Sequence, residues 1–88
     1  MFHEWLREVR KGRLSQGDLA AAARTHDPGC HVQQPHLSGW EHGKGLPSLR
    51  QFFALVGALG LPAAEVAKGR ALLDEAELAR VAAEVARG

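Results

Sequence analysis

An all-α fold is the expectation for this 88-residue sequence, and three observations carry it. Apolar residues recur at helical spacing, most clearly Leu49, Phe52, Phe53, Val56 and Leu59. Serines stand where such runs begin and glycines where they end, the positions at which helix termini need partners for free N–H and C=O groups. No stretch alternates apolar and polar residues as a half-buried strand does, and no internal repeat is present.

Phe2, Trp5, Leu6 and Val9 form one apolar stripe, and Gly12 can take the left-handed conformation that stops a first helix. Ser15 opens a second helix with Asp18 three residues on, a shortened capping box that also sets negative charge at the positive end of the helix dipole. This helix runs through Leu19 and the alanines 20–23, and Asp27-Pro28-Gly29 then signals a turn between Thr25 and His31. A third helix is expected over about Gln34 to His42, with Pro35 tolerated in its first turn, Leu37 and Trp40 inward and Gly43 as its stop. Ser48 and Gln51 stand in capping-box register for a fourth helix that ends at Gly60. Pro62 begins a short fifth helix through Val66, and after Gly69 a sixth is expected over Arg70 to Arg87.

The size, 9.5 kDa, allows one modest core. A composition of 45% hydrophobic and 24% charged residues is that of a globular protein, not a disordered tail. Net charge is only +1, yet it is unevenly spread. Residues 1–70 hold nine basic and six acidic side chains, and residues 71–88 hold two and four. The single cysteine, Cys30, cannot form an intramolecular disulfide, and the start has no signal-peptide order. The longest uncharged run, Gln51 to Ala64, is too short for a membrane span. The expected location is therefore cytoplasmic, with no membrane partner. No nucleophile–base pair, paired carboxylates or glycine-rich phosphate loop points to an enzyme, and Gly43-Lys44-Gly45 is too short for the last of these. No cofactor is expected.

The polar residues fall in a particular order among the apolar ones. Ser15-Gln16-x-x-Leu19-Ala20 precedes Val32-x4-Leu37-Ser38-x-Trp40-Glu41-x-Gly43, followed by Pro47-Ser48-Leu49 and Ala58-Leu59-Gly60-Leu61. This set closely resembles the phage-repressor/Cro class of helix-turn-helix proteins, the Xre family, over about Leu6 to Val66. The resemblance implies a compact five-helix repressor-like domain over residues 1–69, with residues 70–88 adding the sixth helix. It implies a regulator, most simply a repressor, that binds double-stranded DNA as a homodimer on a pseudo-palindromic operator, with the third helix in the major groove. Gln16 then meets a phosphate, and Gln33 and Gln34 open the reading helix, where a Gln amide can pair with adenine N6 and N7. His36, Ser38 and His42 take outward or flanking positions, and Lys44 approaches phosphate from the following loop. Arg10, Lys11 and Arg13 add nonspecific attraction. The family often pairs the Glu41 position with a first-helix arginine, which implies Arg10 as the partner here if the residue missing from the first helix or its turn falls after it.

Three departures stand against the match. About seven residues, Thr25 to His31, are inserted in a normally tight turn and either splay the reading helix or bulge from the surface. The first helix or its turn is one residue short, and Pro35 and Gly39 stand at positions that relatives often use for base reading. These departures and the low charge favour an alternative, a protein-interaction module that has lost sequence-specific DNA binding.

Two further features have alternative readings. His26, Cys30, His31, His36 and His42 cluster within seventeen residues, but their spacing follows no paired-cysteine metal pattern. As a polar groove face they would instead make DNA affinity rise as pH falls from 8 to 6. In the last segment Leu78, Val81 and Val85, with Leu72 and Leu73 before them, form a stripe that either packs on the domain or makes a seam with a second copy or a protein partner.

Overall fold

The computed structural model describes residues 1–88 and contains five α-helices and no strand. They are α1 (Phe2–Arg10), α2 (Gln16–His26), α3 (Gln34–Glu41), α4 (Leu49–Leu59) and α5 (Ala63–Arg87). The local signals explain most of the boundaries. Ser15 Oγ accepts the Asp18 N–H at 3.1 Å and starts α2. Ser48 and Gln51 exchange side-chain and backbone bonds of 3.2 and 2.9 Å at the start of α4. At the end of α3, Gly43 turns left-handed (φ 73°), and the Lys44 N–H returns to the Gly39 carbonyl at 2.8 Å, a Schellman closure.

Sixteen buried residues make one core. Phe2, Trp5 and Phe52 meet at its centre with ring centroids 5.9–6.3 Å apart, all tilted, the geometry aromatic rings prefer over face-to-face stacking. Leu19, Ala20 and Ala23 of α2 and Leu37 and Trp40 of α3 are also buried there, which holds the two helices at a fixed mutual position. Leu49 and Phe53 share the apolar period of α4 but are 45% and 49% exposed. The apolar sector of α4 is wider than the surface that covers it, so Phe52, Leu55 and Val56 are buried and the outer flank faces solvent.

The expected fifth and sixth helices are one. The chain runs as continuous helix from Ala63 to Arg87 through Gly69, without a break. Gly69 is a point of close approach instead of a stop: a Cβ there would lie 2.2 Å from Trp5 Cη2 and 2.4 Å from Cζ2. The Trp5 indole N–H donates to Glu65 Oε1 at 2.9 Å one turn earlier, so α1 and α5 are joined by both packing and a hydrogen bond. Twenty-five helical residues span about 37 Å, and the molecule measures 39 Å along its longest axis. Leu73 is buried and Leu72 and Ala76 pack against the core, but Leu78, Val81 and Val85 are 71%, 49% and 73% exposed. The apolar stripe of α5 therefore continues past the domain it covers.

Candidate nucleic-acid interface

The segment between α2 and α3 determines how the third helix is held. It is longer than a tight turn, and it is fastened at several points. Cys30 and Val32 are buried, 3% and 0% exposed, and anchor it from inside. Asp27 accepts the Gly29 N–H at 3.1 Å and takes Arg50 of α4 through two bonds of 2.7 and 2.9 Å. Gln51 Nε2 donates to the Cys30 carbonyl at 3.4 Å, and Arg24 Nη1 donates to the Val32 carbonyl at 2.8 Å. His31 sits left-handed (φ 56°), a conformation that costs an L-residue on the order of 1 kcal/mol. The insertion is thus laid along α4 and pinned there.

The Asp27–Arg50 pair carries a pH consequence. The Arg50 guanidinium, aided by the Gly29 N–H, holds the Asp27 carboxyl down at about 2. An unfolded aspartate titrates near 4, so the stabilising difference is complete above that range and is lost as pH falls toward 2. Thermal unfolding between pH 6 and pH 2.5 is expected to show Tm falling less steeply for Asp27→Asn than for the parent chain. Parallel slopes would show that the pair contributes nothing.

Glu41, on the inner face of α3, is 2% exposed. Its carboxylate accepts Arg10 Nε at 2.5 Å and Nη2 at 2.8 Å, and Gln16 Nε2 at 3.1 Å. Arg7 donates to its backbone carbonyl at 3.0 Å. Burial pushes this carboxyl up, but the bonds from Arg10 and Gln16 and the charges of Arg10 and Arg7 outweigh it and hold it below the usual range. The resemblance implied the Arg10 pairing; its corollary is that Arg10 is committed to Glu41 and to the Leu14 carbonyl, not free for phosphate. Lys11 and Arg13 remain exposed.

The sequence-derived residues assemble in part. Gln16, the first residue of α2, is half-buried, and its Oε1 accepts Gln34 Nε2 at 2.7 Å. Gln33 caps α3 from an extended conformation, and its Oε1 accepts Arg24 Nη1 at 3.3 Å. Gln16, Gln33 and Gln34 thus lie together around the start of α3, with Gln33 and Gln34 exposed. His36, also exposed, stacks on Trp40 at 5.8 Å, and its Nδ1 accepts the Gln33 N–H at 3.0 Å. His42 Nδ1 lies 2.6 Å from the Ser38 carbonyl, and because a carbonyl only accepts, that nitrogen carries the proton. Ser38 is half-buried within α3, and Lys44 is exposed just past its end. No three His, Cys, Asp or Glu side chains converge as a metal site; Cys30 is in the core. Sequence reasoning read Asp27 only as part of a turn and missed Arg24 and Arg50. Arg24 and Val32 are 8 residues apart and Asp27 and Arg50 are 23 apart, beyond the reach of any local signal.

Two helices joined through a fastened turn, the second opening on a cluster of exposed amides, define a helix-turn-helix domain. A family model described as helix-turn-helix matches residues 5–66. The chain belongs to that family, the Xre/Cro-like helix-turn-helix DNA-binding regulators. Neither a curated protein nor a solved structure matches it. No helix is long and apolar enough to cross a membrane.

Proposed function

We propose that the chain is a cytoplasmic, sequence-specific transcriptional repressor that occupies a pseudo-palindromic operator as a homodimer, with α3 in the major groove. The observation that carries this reading is the exposed amide cluster at the start of α3, supported from beneath by Gln16 and the buried Glu41. Gln34 and Gln33 read base edges, and Gln16 meets a phosphate at the start of α2. His36, Ser38 and His42 flank the groove, and Lys44, with Lys11 and Arg13, supplies attraction to the backbone. Pro35 and Gly39 offer no side-chain hydrogen bond, so part of the specificity falls to DNA shape.

Residues 1–69 form the DNA-binding unit, and residues 70–88 carry the seam between copies. The exposed Leu78, Val81 and Val85 support that assignment, because they follow one helical stripe with nothing over it. Val81→Glu is expected to turn a dimer in sedimentation equilibrium into a monomer; an unchanged mass would move the seam elsewhere. A protein-interaction module is the second reading, favoured by Leu49 and Phe53 standing half-exposed on α4.

Anisotropy titrations of the upstream duplex of its own gene and of a scrambled duplex, at two salt concentrations, separate the two readings. Gln34→Ala is expected to narrow the preference for the specific duplex, by about 1–3 kcal/mol for a lost bidentate contact. Lys44→Ala weakens both and lowers the salt slope by about 1. Feeble, salt-insensitive binding to both duplexes and to a broad pool of sites would leave the interaction module.

A further inference from the structure

We propose that two copies of the chain clasp one another reciprocally: the outer apolar stripe of each α5 seats in a groove that its partner holds between its own α5, the start of its α1 and the end of its α3. The inference rests on the homodimer proposed above and adds to it the surface that receives the tail.

The groove opens where α5 leaves the domain, and its open volume is about 320 Å³. Phe2, Trp40 and Leu46 line it from the domain, with Gly43 beside them, and Ala76 and Ala79 line it from α5. Glycine and alanine carry too little side chain to fill the space between the domain and the helix. Apolar side chains from outside would gain by entering it, because the surface they cover is itself mostly apolar.

The stripe supplies such side chains. Leu78, Val81 and Val85 stand exposed at i, i+3 and i+7 on α5. At 3.6 residues per turn they lie about half a turn around the helix from Ala76 and Ala79. Because α5 is unbroken from Ala63 to Arg87, a copy cannot bring its own stripe into its own groove. A second copy can. Each chain then offers one stripe and one groove, the self-complementary surface that a two-fold dimer requires.

Charge favours this pairing over one tail lying on the other. Residues 71–88 hold two basic and four acidic side chains, and residues 1–70 hold nine and six. A tail placed against the body of its partner therefore meets opposite net charge, whereas two tails meet like charge. Glu84, beside the stripe, and His3, at the groove, have no ion pair within the chain and are free to face each other across the contact. Trp40 belongs to α3, so each tail closes on the end of its partner's reading helix and sets the two α3 helices at a fixed mutual position.

Sedimentation equilibrium of the full chain, with disulfide trapping under mild oxidation, tests the contact. A disulfide needs its two Cα atoms within about 7 Å, so only neighbouring positions link, and Cys30 is buried. His3→Cys mixed with Val81→Cys is expected to yield a linked dimer holding one chain of each, while Val81→Cys alone links little. Ala79→Phe fills the groove from an exposed position and leaves the stripe intact. It is expected to raise the dimer dissociation constant by about tenfold or more, and if it does not fold, the disulfide traps decide alone. Val81→Cys linking chiefly to itself would place the seam tail to tail and overturn the groove assignment with the homodimer intact. A dimer that Ala79→Phe leaves unchanged would do the same. Masses climbing beyond two copies would show head-to-tail pairing and overturn the reciprocal contact. A wild type that stays monomeric at every concentration would overturn the homodimer, and this contact with it.

Discussion

Glu41→Ala is expected to cost about 3–5 kcal/mol of stability, because it leaves the Arg10 guanidinium without its partner in a largely enclosed site. The Arg10 side chain is 16% exposed and that of Glu41 2%, so little solvent is at hand to replace the lost carboxylate. The double variant Arg10→Met/Glu41→Leu is expected to lie within about 1–2 kcal/mol of the parent. Removing both charges removes their desolvation as well, and apolar side chains of similar volume often serve as well as a buried pair. Urea midpoints at constant m-value check both statements. A double variant as weak as the single one would show that the ion pair stabilises beyond what apolar packing can supply.

Gly69→Ala has the second largest expected effect, and its sign goes against helix propensity. In an open helix interior alanine is favoured over glycine by about 1 kcal/mol. Here the added Cβ would meet three atoms of the Trp5 ring at 2.2, 2.4 and 2.6 Å. The ring is hemmed in by Phe2 and Phe52 and held at its nitrogen by Glu65, so it has little room to retreat. Overpacking of this kind costs about 1–3 kcal/mol, and a net loss of about 2 kcal/mol is expected. In a Trp5→Leu background the obstruction is gone, and the same substitution should become neutral or stabilise by up to about 1 kcal/mol. A glycine-to-alanine effect of equal size in both backgrounds would show that Trp5 is not the cause.

These residues also show where the sequence was legible. Ser15, Ser48 with Gln51, Gly43 and Gly60 mark helix ends by chemistry confined to a few neighbouring residues, and the helices end where that chemistry directs. Gly69 carries the same letter for a different reason. Its small size serves a tryptophan 64 positions earlier, and no local pattern distinguishes that use from a stop. Leu49 and Phe53 fit the helical period of α4, but period alone does not say how wide the covering surface is. The amide cluster was found by resemblance. The bond between Gln16 and Gln34, 18 residues apart, was not, whereas the Arg10–Glu41 pair, 31 residues apart, was implied by the resemblance. The hold of Arg50 on Asp27 likewise crosses 23 residues, and only the folded chain brings the pair together.

The union of α1 with α5 has a consequence for the order in which the chain can close during synthesis. Trp5 and its acceptor Glu65 are 60 residues apart. At roughly 5–20 residues per second, the ribosome takes roughly 3–12 s to cover that distance. During that interval α1 has been made while the helix that completes the cover of its apolar face has not. Helices α2 to α4 can assemble meanwhile from nearer partners, but α1, made before them, is among the last to be sealed. An emerging chain therefore exposes Phe2, Trp5 and Leu6 to whatever binds apolar segments at the ribosome exit, and its final folding step belongs to the moments after Gly69 clears the tunnel.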